Sequence, residues 1–224
     1  MYFDSRLDAG LQLAKRLTHY RSEKTVVVAL SDGGVQVGRQ IASALHADLT
    51  LLLTEPIDVP GENIDIGTLN QSGRFTYNGM LSAGEIDDYL SEYHGQFEDK
   101  KREGMGRINR LLGSGGIVSE QIVRERHVVL VADGLPAAGV LDSAADFFKP
   151  LNINKLIICT PVASVEAVDR AHIVGDELHI LSVTDNYLDT GHYYESNEVP
   201  SHSETLRTLS NIVLGWAERP SSKP

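Results

Sequence analysis

The stretch that decides the fold is Val128-Val-Leu-Val-Ala-Asp-Gly-Leu-Pro-Ala-Ala-Gly139. It opens with an apolar run without polar alternation, which is typical of a strand covered on both faces of a parallel sheet. Asp133 ends the run, and a glycine turn and a helix start follow. A carboxylate in this place can accept sugar hydroxyls, and the free amides of the helix start can hold a phosphate. The residues equally fit a plain strand-to-helix connection in which Asp133 only caps the helix.

A second unit of the same kind lies earlier in the chain. The β-branched run at residues 25–30 predicts a buried strand, and Ser31-Asp-Gly-Gly34 breaks it. Residues 35–45 return to helical spacing, and residues 49–53 read as the next buried strand. Strand, glycine-containing turn, helix and strand together make one βαβ crossover.

The rest of the apolar pattern continues the alternation of strands and helices. A helix is expected at residues 6–20, then strands at 127–131, 155–159 and 177–183, with helices at 139–148 and 164–171 between them. This series predicts an α/β fold with a doubly wound, mainly parallel sheet. Ligands of such sheets bind at the carboxyl ends of the strands. We therefore expect the site in the loops at Ser31, Thr54, Ala132, Thr160 and Thr184.

A more polar insert, at about residues 66–116, separates the two halves. Residues 66–70 and 74–77 predict a hairpin, and residues 82–112 predict one or two polar helices that form an exposed flap or interface arm. Ser82 followed by Glu85 is a capping-box pattern. Residues 113–116 read as a flexible joint. We expect one domain over residues 1–217 and a disordered tail at 218–224.

Composition excludes several classes of protein. The 224 residues carry 20 Lys and Arg against 31 Asp and Glu, a net charge of −11, which disfavours general nucleic-acid binding. No run approaches the apolar length of a membrane span, and the N-terminus lacks the apolar core of a signal peptide. Cys159, the one cysteine, sits in an apolar run and reads as a core residue rather than a nucleophile. We expect a cytoplasmic protein without membrane or nucleic-acid partners.

Four segments occur in one order along the chain: Phe3-Asp-Ser-Arg-Leu-Asp-Ala-Gly10, Val28-Ala-Leu-Ser-Asp-Gly-Gly-Val35, Ile64-Asp-Ile-Gly67 and the strand-turn-helix at 128–139. In these segments the chain resembles the type I phosphoribosyltransferases, most closely a bacterial branch of stand-alone proteins of similar length. The resemblance covers roughly residues 3–217, and the Phe-x-x-Arg-x-Asp-Ala-Gly opening is its most distinctive part.

The resemblance implies a glycosyltransferase of nucleotide metabolism that binds phosphoribosyl pyrophosphate with Mg²⁺ and transfers the phosphoribosyl group to a nitrogen base. Asp133 would contact the ribose and, through the substrate, Mg²⁺. The remaining substrate contacts implied are Gly134, with Ala137, Ala138 and Gly139 on the 5′-phosphate, Gly33 and Gly34 on the pyrophosphate, and Tyr193 and Tyr194 on the base. The two tyrosines equally fit aromatic anchors of a loop. A homodimer is also implied.

The chain departs from the family pattern at several of these positions. Ala132 stands where the family has a first acid, and residues 137–140 replace a Thr-Gly-x-Thr phosphate turn. Asp32 and Glu55 stand where the family has cations that face pyrophosphate. Two hypotheses follow. One is an active transferase, and the other is an inactive homologue that acts as a nucleotide-binding regulator or as a protein-interaction scaffold.

The acids near the predicted site have two further interpretations. Asp32 fits a turn residue that stabilises Gly33 and Gly34 through an Asx-type hydrogen bond. Alternatively, Asp32, Glu55, Asp58 and Asp133 form an acidic pocket for Mg²⁺ or a cationic ligand, since hard divalent ions take oxygen ligands.

Overall fold

The computed structural model of the chain describes residues 2–62, 64–112 and 117–217. The strands are β1 (Thr25–Ala29), β2 (Asp48–Leu51), β3 (Thr54–Asp58), β4 (Asp65–Asn70), β5 (Phe75–Tyr77), β6 (His127–Val131), β7 (Lys155–Ser164) and β8 (Glu177–Thr184). The α-helices are α1 (Arg6–Arg16), α2 (Asp32–Leu45), α3 (Ala83–Leu112), α4 (Glu120–Val123), α5 (Gly139–Phe148), α6 (Val165–Val174) and α7 (His202–Ala217). Short 3-10 helices cover Thr18–Ser22 and Thr190–Tyr193.

The predicted parallel sheet is confirmed. Five strands pair in the order β2-β1-β6-β7-β8, all parallel, with Val26 opposite Val128 in the central pair. Alternate side chains of each strand enter two separate buried clusters. Val27 and Val129 pack with α1 and α2, whereas Val26 and Val128 pack with α5 and α6. The sheet is thus covered by helices on both faces, which explains why its strands lack polar alternation.

The insert forms a second, antiparallel sheet in the order β3-β4-β5. The hairpin of β4 and β5 is confirmed, but β3 was not predicted. Its single well-buried side chain, Ile57, is flanked by Pro56 and two acids, so the apolar signal of a strand is missing. β3 exists because it pairs with β4 along its length.

The helical part of the insert is one long helix, α3, with a kink at Tyr93. Its predicted capping box is present: the Ser82 hydroxyl accepts from the Glu85 amide, and the Glu85 carboxylate accepts from Ser82. α3 is anchored as well as exposed, because Phe97 and Ile108 are buried in the core.

Two of the predicted turns differ in the structure. Residues 32–34 belong to the first turn of α2, and Ser31 is its N-cap, accepting from the Gly34 amide at 2.8 Å. The segment after β6 is held extended rather than in a tight turn. The Leu135 amide donates to the Val162 carbonyl and the Leu135 carbonyl accepts from the Ser164 amide, so the segment pairs with the end of β7.

Cys159 lies fully buried in the centre of β7, as predicted. Burial raises the pKa of its thiol well above the usual range. Among the described helices, none combines the length and the apolar character that a bilayer span requires. The predicted joint at residues 113–116 and the predicted tail at 218–224 lie outside the described residues.

Candidate functional site

Asp133 lies directly after β6, at the carboxyl end of the parallel sheet, and is 8% exposed. Both of its carboxylate oxygens are engaged by side chains of this chain. Arg6 Nε donates to Oδ2 at 2.7 Å, and the Ser31 hydroxyl donates to Oδ1 at 2.7 Å. Asp133 does not cap α5 with its side chain. It joins α1, the start of α2 and the end of β6 in one polar cluster.

Arg6 is the partner that sequence reasoning missed. It is only 4% exposed, and its guanidinium lies 4.5 Å from the centroid of the Tyr194 ring while Nη1 donates to Asn197 Oδ1 at 3.0 Å. Three kinds of contact therefore fix one cation: an ion pair, an amide oxygen and an aromatic face. The only sequence signal for it was its place in the Phe-x-x-Arg opening.

Gly33 provides the space for this pair. A Cβ atom on Gly33 would stand 2.0 Å from Asp133 Oδ2 and 2.8 Å from Arg6 Nε. Gly34 is less tightly enclosed, since the nearest atom to its Cβ would be the Val131 carbonyl oxygen at 3.0 Å. Gly33 is thus explained by the approach of the ion pair to the start of α2, and Gly34 by the approach of the end of β6.

Tyr193 and Tyr194 lie in the cluster as buried rings, 8% and 5% exposed. The Tyr194 hydroxyl donates to the Asp133 carbonyl oxygen, and its ring contacts Phe3. Burial, followed by the charge of Asp133, raises the pKa of Tyr194 above its usual range. The Tyr193 hydroxyl donates to the Asn186 carbonyl. Both rings act as anchors of the loop after β8, and little of either face is open.

Gly134 and Tyr187 form the side of the cluster next to that loop. A Cβ on Gly134 would stand 2.1 Å from the Tyr187 hydroxyl, which hydrogen-bonds Thr190 at 2.8 Å. Burial raises the pKa of Tyr187 to about 12. Gly134 is therefore required for packing against Tyr187.

The predicted phosphate turn, Ala137 to Gly139, leads into α5, with Ala138 at the N-cap position. A carboxylate from the insert lies against it: a Cβ on Gly139 would stand 2.1 Å from Asp65 Oδ2. Burial raises the pKa of Asp65 from 3.8 to about 6, although the Gly67 amide, which donates to Asp65 Oδ1 at 2.8 Å, lowers it. The charge of Asp58 raises it further. The sequence pattern Ile64-Asp-Ile-Gly67 marked this residue without revealing its place.

A cavity of about 800 Å³ opens between this turn, the small sheet and the start of α3. We call it the acidic cavity, because four carboxylates line it and no Lys, Arg or His does so among the described residues. Its polar lining is Asp58, Asp65, Thr68, Asn78, Glu85, Glu166 and two tyrosines, Tyr89 and Tyr187. The rest of the wall is apolar and consists of Ile64, Met80, Leu81, Val140 and Leu188, with Pro56 of β3, Ala137 of the predicted phosphate turn and Pro136 just before that turn.

The four acids that were suggested to form one Mg²⁺ pocket do not converge. Glu55 pairs with Arg107 of α3 at 2.7 Å, and Asp32 hydrogen-bonds His202 Nδ1 at 3.1 Å. Asp133 is held by Arg6, and Asp58 alone lies on the acidic cavity. In the ranges that the structure describes, no three His, Cys, Asp or Glu side chains are grouped so as to hold a metal ion. Asp32 is a helix residue, not an Asx-turn residue, since the N-cap bond comes from Ser31.

Comparison with known proteins gives relatives over nearly the whole chain. Two are proteins of Mycobacterium tuberculosis, from strains H37Rv and CDC 1551, named "Putative phosphoribosyl transferase Rv0571c" and "Putative phosphoribosyl transferase MT0597". Each is 24% identical over 218 residues, which are 96% of this chain and 48% of the relative. The resemblance to the phosphoribosyltransferases is confirmed. The chain spans about half the length of these curated relatives.

A solved structure is also similar to this chain in fold. The protein TT1426 of Thermus thermophilus is 26% identical, with a TM-score of 0.68, over 96% of this chain and 99% of that protein. No family model matches the chain. The strand-end cluster of Arg6, Ser31 and Asp133 and the acidic cavity both lie at the sheet edge where open α/β sheets bind ligands.

Proposed function

We propose that this chain is a phosphoribosyltransferase-like binding protein that no longer transfers a phosphoribosyl group. One observation carries the proposal: both carboxylate oxygens of Asp133 are held by side chains, Arg6 and Ser31. Each oxygen keeps a second lone pair, but the Asp133 side chain is only 12% exposed, so ribose hydroxyls would reach it by displacing Arg6 or Ser31. Separating a buried carboxylate from its arginine is strongly unfavourable, because it leaves an uncompensated charge.

The start of α5 supports the same proposal. A 5′-phosphate bound at Gly139 would meet the Asp65 carboxylate, which is already against that residue. Two anions at such a distance repel each other, the more so where water is partly excluded. No described Lys, Arg or His of the cavity lining would compensate the phosphate. We expect an anionic sugar phosphate to be rejected here.

Mg²⁺, which the family reaction implies, fits the described residues poorly. The acid assigned to it, Asp133, has no carboxylate oxygen left without a protein partner. Two of the other acids that were considered contact different partners: Glu55 pairs with Arg107, and Asp32 contacts His202. We derive no catalytic step through the metal.

The second candidate is an active transferase that binds phosphoribosyl pyrophosphate. It is favoured by the place of Asp133 at the carboxyl end of β6 beside Gly33, where ligands of this class of sheet bind. In that case Asp133 would contact ribose after giving up Arg6, and the nitrogen base would enter the acidic cavity. Assembly as a homodimer stays a prediction under both candidates.

Isothermal titration of the protein with phosphoribosyl pyrophosphate and Mg²⁺ separates the two candidates. We expect no saturable binding at millimolar ligand, and no pyrophosphate release when purine or pyrimidine bases are added. A micromolar Kd that is lost in Asp133→Ala, with the variant still folded by circular dichroism, would overturn the proposal in favour of the transferase.

A further inference from the structure

The acidic cavity has a charge that the protein itself does not balance. The carboxylates of Asp58, Asp65, Glu85 and Glu166 form no ion pair with any residue that the structure describes, whereas Asp142 is paired with Arg170. Lys100 reaches the backbone of Asp58, where its Nζ donates to the carbonyl oxygen at 2.8 Å, and not the carboxylate. Asp65 is the least exposed of the four, and the other three are exposed. A negative cleft with low-dielectric walls concentrates cations.

An unsatisfied hydroxyl lies on the same wall. Thr68 of β4 is fully buried, and its Oγ1 has no hydrogen-bond partner among the described residues. Buried polar groups are nearly always paired, so a lone one at a cavity wall indicates a missing partner. A threonine hydroxyl can accept a hydrogen bond from an N–H group. Thr68 is thus a second observation, independent of the acids, that points to a ligand.

The arrangement of the acids argues against a single metal ion as that partner. The four acids come from four different elements, β3, β4, α3 and α6. No three of these carboxylates are grouped so that they could hold one metal ion. A ligand that meets several of them must be extended. The cavity wall also has apolar and aromatic side chains, among them Met80, Leu81, Tyr89, Val140 and Tyr187.

We propose that the acidic cavity binds an aliphatic polyamine, with its ammonium groups on the carboxylates and its methylene segments on the apolar wall. One ammonium lies between Asp65 and the Thr68 hydroxyl. A volume of about 800 Å³ is within the range of small-molecule sites. The inference rests on the proposed function, in which the site no longer takes an anionic sugar phosphate.

The test is isothermal titration of the whole chain with spermidine at constant ionic strength, with butylamine as a single-charge comparison. We expect one saturable site for spermidine and much weaker binding of butylamine. Asp65→Asn should weaken spermidine binding about tenfold or more, because a hydrogen-bonded charge is lost. Thr68→Val, which keeps the shape and removes the hydroxyl, should weaken it about fivefold.

Asp99→Asn is the matched control, because Asp99 is an exposed acid of α3 outside the cavity lining. It removes the same charge and should change the affinity less than about twofold, since exposed charges are screened. Equal weakening by Asp99→Asn and Asp65→Asn, or no saturable spermidine binding, would overturn the inference.

Parallel titrations with phosphoribosyl pyrophosphate distinguish the two proposals. Tight binding of phosphoribosyl pyrophosphate refutes the proposed function and with it the polyamine assignment. If neither compound binds, the polyamine assignment alone fails.

Discussion

At the scale of single residues, the strand-end cluster depends on one buried ion pair between positions 127 residues apart, Arg6 and Asp133. The pair ties the first helix to the end of the central strand. Removing one partner should strongly destabilise the folded protein, because the remaining charge would be buried without compensation.

Arg6→Met is therefore expected to lower the free energy of unfolding by about 3–5 kcal/mol. Methionine retains much of the aliphatic volume of arginine but leaves the Asp133 carboxylate with Ser31 alone. Urea denaturation measures the loss. The control is Arg102→Met, which breaks an exposed pair with Asp99 and should cost less than about 1 kcal/mol. Similar losses in both variants would show that the buried pair has no special role.

Removing the charge of Asp65 is expected to raise the free energy of unfolding, whereas removing the charge of Arg6 lowers it. The folded pKa of Asp65, about 6, lies above its ordinary value of 3.8, so burial of the ionised form is unfavourable. The stability associated with the protonated carboxyl is present below pH 3.8 and is lost as the pH rises through about 6. Asp65→Asn, which keeps an acceptor for the Gly67 amide, should stabilise the protein at pH 7.5 by up to about 3 kcal/mol.

The same substitution should change stability little near pH 4, where Asp65 is protonated in the folded protein. Thermal or urea unfolding at the two pH values measures the difference, with Asp99→Asn as a control of equal charge. A stabilisation that is the same at pH 4 and pH 7.5 would contradict the burial of an ionised Asp65.

At the scale of elements, the start of α2 is set by what it approaches. Gly33→Ala should destabilise the protein by about 1–3 kcal/mol, because the new methyl group would overlap the Asp133 carboxylate. Gly95→Ala is the counterpart within a helix: nothing lies within 4 Å of its Cβ position in α3. That variant should gain about 0.5–1 kcal/mol. Chemical denaturation of both variants checks the pair, and a neutral Gly33→Ala would show that the ion pair has room to move.

Element boundaries also show where sequence reasoning reached its limit. The hairpin β4–β5 follows from its turn residues, and the α3 capping box follows from Ser82 and Glu85. β3 could not be found, because its stability comes from pairing with β4 rather than from its own apolar pattern. The extended segment at Leu135 was missed for the same reason, since its partner, the end of β7, is distant in sequence.

At the scale of the molecule, the parallel sheet was predictable because the local signal and the fold agree: apolar strands, helices between them, and two faces to cover. The site was only half predictable. The position of Asp133 follows from the strand end, but its partner Arg6 comes from the far end of the chain and Asp65 from the insert. Such contacts depend on tertiary structure, which spacing along a single sequence does not encode.

The structure also shows where part of the net charge of −11 lies. Four of the acids line one cavity and form no ion pair between described side chains, while others, such as Glu55 and Asp48, are neutralised by arginines. Part of the negative charge therefore lies at the acidic cavity, which agrees with the proposal that the cavity binds a cationic ligand rather than a phosphate.

The kink of α3 at Tyr93 divides the helix into two parts with different tasks. All of its fully buried positions, Phe97, Gly104 and Ile108, follow the kink, whereas Glu85 and Tyr89, which line the acidic cavity, precede it. The part after the kink is held by buried positions, whereas Tyr89 before it is only partly buried against the core. The helix therefore contributes to folding mainly after the kink and to the cavity wall before it.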